Sequence, residues 1–187
     1  ITHIKKLYLN YGKAGLNMAK WGMCDFSELE KLQKQFERLS KIDIDRFCKE
    51  AARELAARLL SKVIPRTPVG EGSFEVKDGK RYTIKNGGTL RRGWTANTEA
   101  EAESGSVPDP TTYADSLKID HVGNTISIEI VNPVEYASYV EYGHRTANHQ
   151  GWVQGRFMLT ISEQEIQNIA PKVLESKIKK FLGECMK

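Results

Sequence analysis

The sequence has few cysteines: three in 187 residues, at positions 24, 48 and 185. An odd, widely spaced set argues against a disulfide scaffold and fits reduced thiols in a cytosol. The chain also lacks any run of about 18 apolar residues, which excludes a membrane-spanning helix. Its first residues lack the apolar stretch of a signal peptide, so secretion is not predicted. Hydrophobic residues still make up 40% of the chain, enough to build a core and to exclude disorder throughout.

Arrangements of residues that carry catalysis or bind metal are missing as well. No serine lies in a Gly-x-Ser-x-Gly turn, and Gly79-Lys80 lacks the upstream glycine and following Ser or Thr of a phosphate loop. His144 and His149 are five residues apart, whereas a zinc-binding helix places two histidines four apart with a glutamate beside the first. The sequence therefore predicts no enzyme, no metal and no cofactor.

Charge is divided unevenly along the chain, although the net charge is only +4. Residues 65–95 contain seven bases and three acids, and residues 96–116 contain five acids and no base. Adjacent basic and acidic blocks favour contact between unlike surfaces, or between copies of the chain. The bases of residues 77–92, here called the basic block, have Tyr82 and Trp94 interleaved or adjacent, and leave a DNA-binding accessory protein as an alternative. Lysines that protect an exposed hairpin edge would give the same pattern.

Apolar spacing predicts two helices before residue 66. The capping box Asp25-Phe26-Ser27-Glu28 begins the first, whose apolar stripe ends at Leu39. The second begins at Asp43 and is ended by Pro65 and Pro68. Its predicted buried face comprises Ile44, Phe47, Ala51, Leu55, Leu59 and Val63.

Alternating patterns predict strands in the middle of the chain. Residues 73–85 form a hairpin around a type I′ turn at Asp78-Gly79, and residues 90–95 form a further strand. Residues 97–112 are predicted to be a mobile acidic loop. A second hairpin spans 116–131, with Ile126, Ile128 and Ile130 on its buried face and the opposite face in water.

Helices return in the last third. Asn132 as cap and Pro133 at the first position predict a short helix that ends at Gly143. The last helix is predicted to begin with Thr160 or Ser162 as cap, and Pro171 is predicted to kink or split it. The fold class is therefore α+β: an antiparallel sheet of two hairpins plus a further strand, flanked by N-terminal helices and a kinked C-terminal helix. Residues 25–187 form a single domain, and residues 1–24 form an N-terminal extension or arm.

Four short segments together resemble one family. Residues 66–70 read RTPVG and residues 88–94 read GTLRRGW; residues 135–144 read EYASYVEYGH, and residues 155–159 read GRFML. They are similar, in the same order, to motifs of small neck and tail-completion proteins of tailed double-stranded DNA phages and related tail-like particles. The resemblance covers residues 25–182. The chain departs from the family pattern at 71–86, where the predicted hairpin is inserted.

The resemblance implies a structural virion protein that forms a ring at the head–tail junction or at the top of the tail. A tail terminator that stops tube growth is the alternative within this class. The implied partners are other copies of the chain, in a hexamer or dodecamer, head connector or adaptor proteins, and tail terminator or tail-tube proteins. DNA would pass through the channel without sequence-specific binding, with no membrane involved. The protein would assemble in the host cytoplasm and reside in the neck or tail of the virion.

An interface is expected where aromatic and charged residues crowd around the 135–144 motif and the basic block. In the ring, the basic block at 77–92 is expected to meet the acidic loop at 99–109 of a neighbour. The predicted interface residues are Arg91, Arg92, Trp94, Glu135, Tyr136, Tyr139, Glu141, Tyr142, His144 and Arg145.

Overall fold

Two long helices that pack against each other frame the fold. The computed structural model describes residues 7–10, 41–70, 72–85, 87–123 and 125–185. Helix α1 spans Lys41–Arg66 and the last helix, α6, spans Met158–Cys185. The helix predicted to start at Asp25 lies outside the described residues.

Short elements connect these two helices. In chain order after α1 they are strands β2 (Ser73–Lys77) and β3 (Lys80–Lys85), helix α2 (Thr89–Arg92), a 3-10 turn (Gly93–Thr95), helices α3 (Glu99–Ser104) and α4 (Pro110–Ser116), strands β4 (Ile119–Val122) and β5 (Thr125–Ile128), helix α5 (Ala137–Tyr142), and strands β6 (Gly143–Arg145) and β7 (Trp152–Gln154). Strand β1 (Leu7–Asn10) precedes α1. This mixture of helices and antiparallel strands confirms the α+β class.

Among the described residues the strands lie in three antiparallel sheets, which corrects the expectation of one sheet. Strand β5 lies between β4 and β1, with Ile119 opposite Ile128 on one side and Leu7 opposite Ile128 on the other. Strands β2 and β3 form a separate hairpin, and β6 and β7 form another. Residues 7–10, within the predicted extension, are thus an edge strand. The type I′ turn is confirmed, since Asp78 and Gly79 have φ of 53° and 70°.

The core is built around α1, and α2, the 3-10 turn, α3, α4, β5 and α6 all contribute buried residues to it. The predicted inner face of α1 is confirmed from Ala51 to Val63, whereas Ile44 is 37% exposed. Ile126, Ile128 and Ile130 are buried as predicted. Ser127 is also buried, so the opposite face of β5 is not open to water at that residue.

Residues 90–95 form helical turns and not the predicted strand. Leu90 and Trp94 are 4% and 0% exposed; residues four apart share one face of a helix as they do of a strand, so their burial fits either period and did not distinguish the two. Gly93 permits close packing there, since an added Cβ would lie 2.2 Å from Asn132 Oδ1. The segment 97–112 likewise contains helical residues. Thr98 caps α3 and Asp109 caps α4, so the predicted loop is largely ordered by capping.

The last helix also differs from its prediction. It begins at Met158, so Thr160 and Ser162 lie inside its first turns and do not cap it. It runs without interruption through Pro171, so it does not split there. The kink at that proline stays a prediction.

Candidate assembly interface

Helix α5 is held in place by side chains from its own motif. Ala137 is 1% exposed and Val134 is 2% exposed, so both belong to the core. Asn132 Oδ1 accepts from the Val134 amide at 3.2 Å, and its Nδ2 donates to the Leu90 carbonyl at 2.9 Å. The helix therefore starts at Ala137 and not at Pro133, because Asn132 anchors the preceding turn to α2. Its end at Tyr142 agrees with the prediction.

Glu141 is buried and caps the longest helix of the described structure. Its carboxylate accepts from the Leu159 amide at 2.9 Å, the Thr160 amide at 2.9 Å and the Thr160 hydroxyl at 2.8 Å. The amides at a helix N-terminus lack partners within the helix and favour negative charge. Glu141, at 2% exposure, thus supplies from α5 the cap that α6 lacks in its own sequence.

Two glycines allow the backbone beyond α5 to lie against the segment before α6. Gly143 has φ of 88°, and a Cβ there would lie 2.4 Å from the Val153 carbonyl oxygen. A Cβ on Gly155 would lie 2.3 Å from the Glu141 carbonyl oxygen. The Arg156 and Phe157 amides donate to the carbonyls of Val140 and Glu141 at 2.8 and 3.0 Å. Strands β6 and β7 are therefore fixed to the end of α5.

Large aromatic side chains remain exposed on this frame. Tyr139 and Tyr142 of α5 are 58% and 50% exposed, and Trp152 of β7 is 62% exposed. The ring of Tyr139 lies 5.8 Å from that of His144, centroid to centroid. We call the set the aromatic surface; it comprises Tyr136, Tyr139, Tyr142, Trp152 and Phe157.

Two predicted interface residues are buried. Trp94 is 0% exposed, and its Nε1 donates to Thr67 Oγ1 at 2.7 Å within the core. Glu141 is the buried cap described above. Neither side chain reaches the surface of the described structure, because each binds groups inside its own chain.

The two predicted arginines bind backbone carbonyls of their own chain. Arg91 donates from Nη2 and Nε to the Thr67 carbonyl at 2.7 and 3.0 Å, just beyond the end of α1. Arg92 donates to the carbonyls of Ala102 and Gly87 at 2.7 and 2.9 Å. Both guanidinium groups therefore tie α2 to neighbouring segments.

The other predicted interface residues are exposed. They are Glu135, Tyr136, Tyr139, Tyr142, His144 and Arg145. Sequence reasoning missed Trp152 and Phe157, which the β6–β7 pairing and the turn before α6 bring beside α5. In the sequence, Trp152 is the large aromatic residue of the mainly polar segment 146–156. No helical or strand period in that segment marked it as a site residue.

A groove opens beside Tyr136. Its volume is about 480 Å³, and Val69, Leu90 and Val140 contribute apolar walls while Glu99 and Glu103 contribute carboxylates. Gly72 and Gly87, which flank the β2–β3 hairpin, also line it. We call this cavity the acidic groove.

The described residues contain no cluster of three or more His, Cys, Asp or Glu placed to hold a metal ion. Among those same residues, no helix has the length and apolar character needed to span a membrane.

Comparison with known proteins gives one family match. Residues 30–143 match the family model described as "Bacteriophage HK97-gp10, putative tail-component". The match ends at Gly143, so it includes α5 and excludes β7 and α6. No curated protein and no solved structure matches the chain.

Proposed function

The chain belongs to the HK97-gp10-like family of phage tail components, and from this premise we propose that it forms a ring at the head–tail junction or the top of the tail. Membership makes it a structural protein of the phage tail and places it in the virion. The ring, its position at the neck and its partners are our proposal. In this role, the protein offers one matching surface to the connector side and another to the tail side, around a channel for DNA.

The aromatic surface is the observation that carries the proposal. Exposed large apolar side chains that lie near one another mark interaction sites more often than those scattered singly over a surface. Tyrosine and tryptophan are the residues most enriched among those that dominate binding energy. Here they project from a frame fixed by Glu141, Gly143 and Gly155. A rigid aromatic surface loses little conformational freedom on binding, which suits repeated assembly.

The residues of the 135–144 motif fall into two groups: some hold α5 and the segments around it together, and others are exposed. Ala137 and Glu141 are buried and Gly143 permits the close turn, so these positions maintain the frame. The tyrosines of the same motif make no comparable contribution to the core, since Tyr139 and Tyr142 are half-exposed. Their contribution therefore belongs to contact with another protein.

The test removes side chains of the aromatic surface and leaves Glu141, Gly143 and Gly155 unchanged. We expect Tyr139→Ser with Trp152→Ser to leave the melting temperature near that of the unchanged protein, since both side chains are exposed. Association should weaken by at least about 30-fold, because interface residues of this type cost 2 kcal/mol or more when truncated. Light scattering measures the assembled mass, and negative-stain microscopy shows whether rings form without DNA.

Ile178→Ser on α6 is the control, since this side chain is 42% exposed at a distance in sequence from the aromatic surface. It should leave the assembled mass unchanged. A wild-type protein that stays monomeric at high concentration, with no ring by microscopy, would contradict the proposal. Salt-dependent binding to random DNA would instead favour the accessory DNA-binding protein.

A further inference from the structure

We propose that the β2–β3 hairpin of one copy docks into the acidic groove of the next copy, so that copies join head to tail. The inference rests on the proposed ring and names one of its contacts. It involves the hairpin tip and the acidic groove, neither of which contains the residues altered in the test of the aromatic surface.

The hairpin residues whose burial the structure describes, 75–80 and Tyr82, are exposed. Val76 is 62% exposed and Tyr82 is 52% exposed. Within the described structure, β2 and β3 pack mainly against each other. An isolated two-stranded hairpin is at best marginally stable in water. A partner that covers the face with Tyr82 would therefore stabilise it.

One face of the hairpin carries a net positive charge, from two lysines and one glutamate, beside an aromatic ring. Directly paired residues share a face, so Lys77 opposite Lys80 and Tyr82 opposite Glu75 point to the same side. Like charges directly opposite each other are destabilising. The two lysines at the tip are therefore positioned to gain from a carboxylate supplied by another molecule.

The acidic groove complements this face in polarity and charge. Its apolar walls at Val69, Leu90 and Val140 suit an aromatic ring, and Glu99 and Glu103 suit the two lysines. The surrounding segment 96–116 has five acids and no base. Charge complementarity of this kind steers association and suppresses wrong partners.

The hairpin belongs in the groove of a second copy and not its own. Gly72 and Gly87, at the root of the hairpin, line the groove of the same chain. The tip lies about 17 Å from that root, since five strand residues rise about 3.4 Å each. A tip that far from the groove cannot enter it without folding the hairpin back on itself.

A projecting hairpin and a separate groove make a heterologous contact. Such contacts generate a ring when the rotation between copies closes. The contact also refines the expected pairing of the basic block with the acidic loop. Arg91 and Arg92 bind their own chain, which leaves Lys77 and Lys80 as the bases of the block with exposed, described side chains.

Two charge-reversed variants test the contact. Lys77→Glu with Lys80→Glu makes the hairpin tip acidic, and Glu99→Lys with Glu103→Lys makes the groove basic. Each variant alone should associate at least about tenfold more weakly than the unchanged protein, because like charges then face each other. A 1:1 mixture of the two should regain the wild-type association, since each acidic tip finds a basic groove and each unchanged tip an unchanged groove.

Recovery on mixing is a result that a merely structural role for these residues would not give. Lys118→Glu with Lys172→Glu is the control for a general change in charge, and its assembled mass should equal that of the unchanged protein. Analytical ultracentrifugation measures mass, and circular dichroism confirms that each variant is folded.

Two outcomes overturn the inference and spare the proposed function. One is that the variant with Lys77→Glu and Lys80→Glu folds and assembles like the wild-type protein. The other is a mixture that stays as dissociated as its components. If the unchanged protein does not assemble at all, the proposed ring fails, and the contact fails with it.

Discussion

At the scale of single residues, the buried carboxylate of Glu141 joins two elements that are distant in sequence. Its partners, Leu159 and Thr160, lie 18 and 19 residues downstream. The sequence indicated that Glu141 belongs to a distinctive motif, and predicted an interface role for it. No local pattern could reveal the cap, because the chain between α5 and α6 has to fold back before the contact exists.

Replacing this carboxylate tests the cap. We expect Glu141→Ala to lower the free energy of unfolding by about 2–3 kcal/mol, because hydrogen bonds to a charged group are lost and buried amides are left without partners. Glu141→Gln should cost less, since its amide oxygen can still accept. Urea denaturation measures both.

Glu135→Ala is the matched control for this prediction, since Glu135 is an exposed glutamate of the same motif. Its effect should stay within about 0.5 kcal/mol, as is usual for exposed positions. Equal losses for Glu135→Ala and Glu141→Ala would refute the capping role.

At the scale of elements, each described segment is the helix or strand that its hydrophobic spacing and turn residues predict, except where tertiary packing determined the secondary structure instead. The β2–β3 hairpin was predictable because Asp78-Gly79 specifies its turn regardless of what surrounds it. Residues 90–95 were mispredicted as a strand because a single aromatic residue among arginines and glycines has no clear period. Their helical form brings Leu90 and Trp94 to one buried face.

The placement of the β6–β7 pair depends on a glycine. We expect Gly143→Ala to shift this pair and lower the melting temperature, because φ of 88° is strained for alanine and the new Cβ would meet backbone at 2.4 Å. Association should weaken as well, since Trp152 would move relative to α5. Thermal unfolding and light scattering measure the two effects.

Gly183→Ala serves for comparison, since a Cβ there meets nothing within 4 Å. It should not lower the melting temperature, since alanine favours a helix over glycine, and it should leave the assembled mass unchanged. If Gly143→Ala behaved in the same way, β6 and β7 would not depend on this close approach.

At the scale of the whole molecule, ion pairs join α1 to α6. Lys177 Nζ lies 2.8 Å from Glu54 Oε2, and Lys62 Nζ lies 2.7 Å from Glu165 Oε2. The hydrogen bond from Lys177 lowers the pKa of Glu54, and the hydrogen bond from Lys62 lowers the pKa of Glu165, each below the ordinary value of 4.5. A carboxyl whose pKa is lower in the folded state stabilises that state above its unfolded pKa.

Stability should therefore fall as the pH is lowered through about 4.5 and into the range of the lowered pKa values. Glu54→Gln should flatten part of this fall and cost about 1 kcal/mol at pH 7, because the pair is only partly buried and solvent still screens it. Urea denaturation between pH 7 and 3 measures the slope. An unchanged slope in Glu54→Gln would show that this pair does not link α1 to α6.

The sequence by itself determined the α+β class, the inner face of α1, both predicted hairpins and the resemblance to phage neck and tail proteins, because period, turn chemistry and motif order are local properties of the chain. Tertiary structure alone decided which motif residues face outward. Trp94 and Glu141 turn inward and Arg91 and Arg92 bind carbonyls of their own chain, whereas Trp152 joins the tyrosines of α5 at the surface. Burial depends on which distant segments pack together, and no local pattern encodes that.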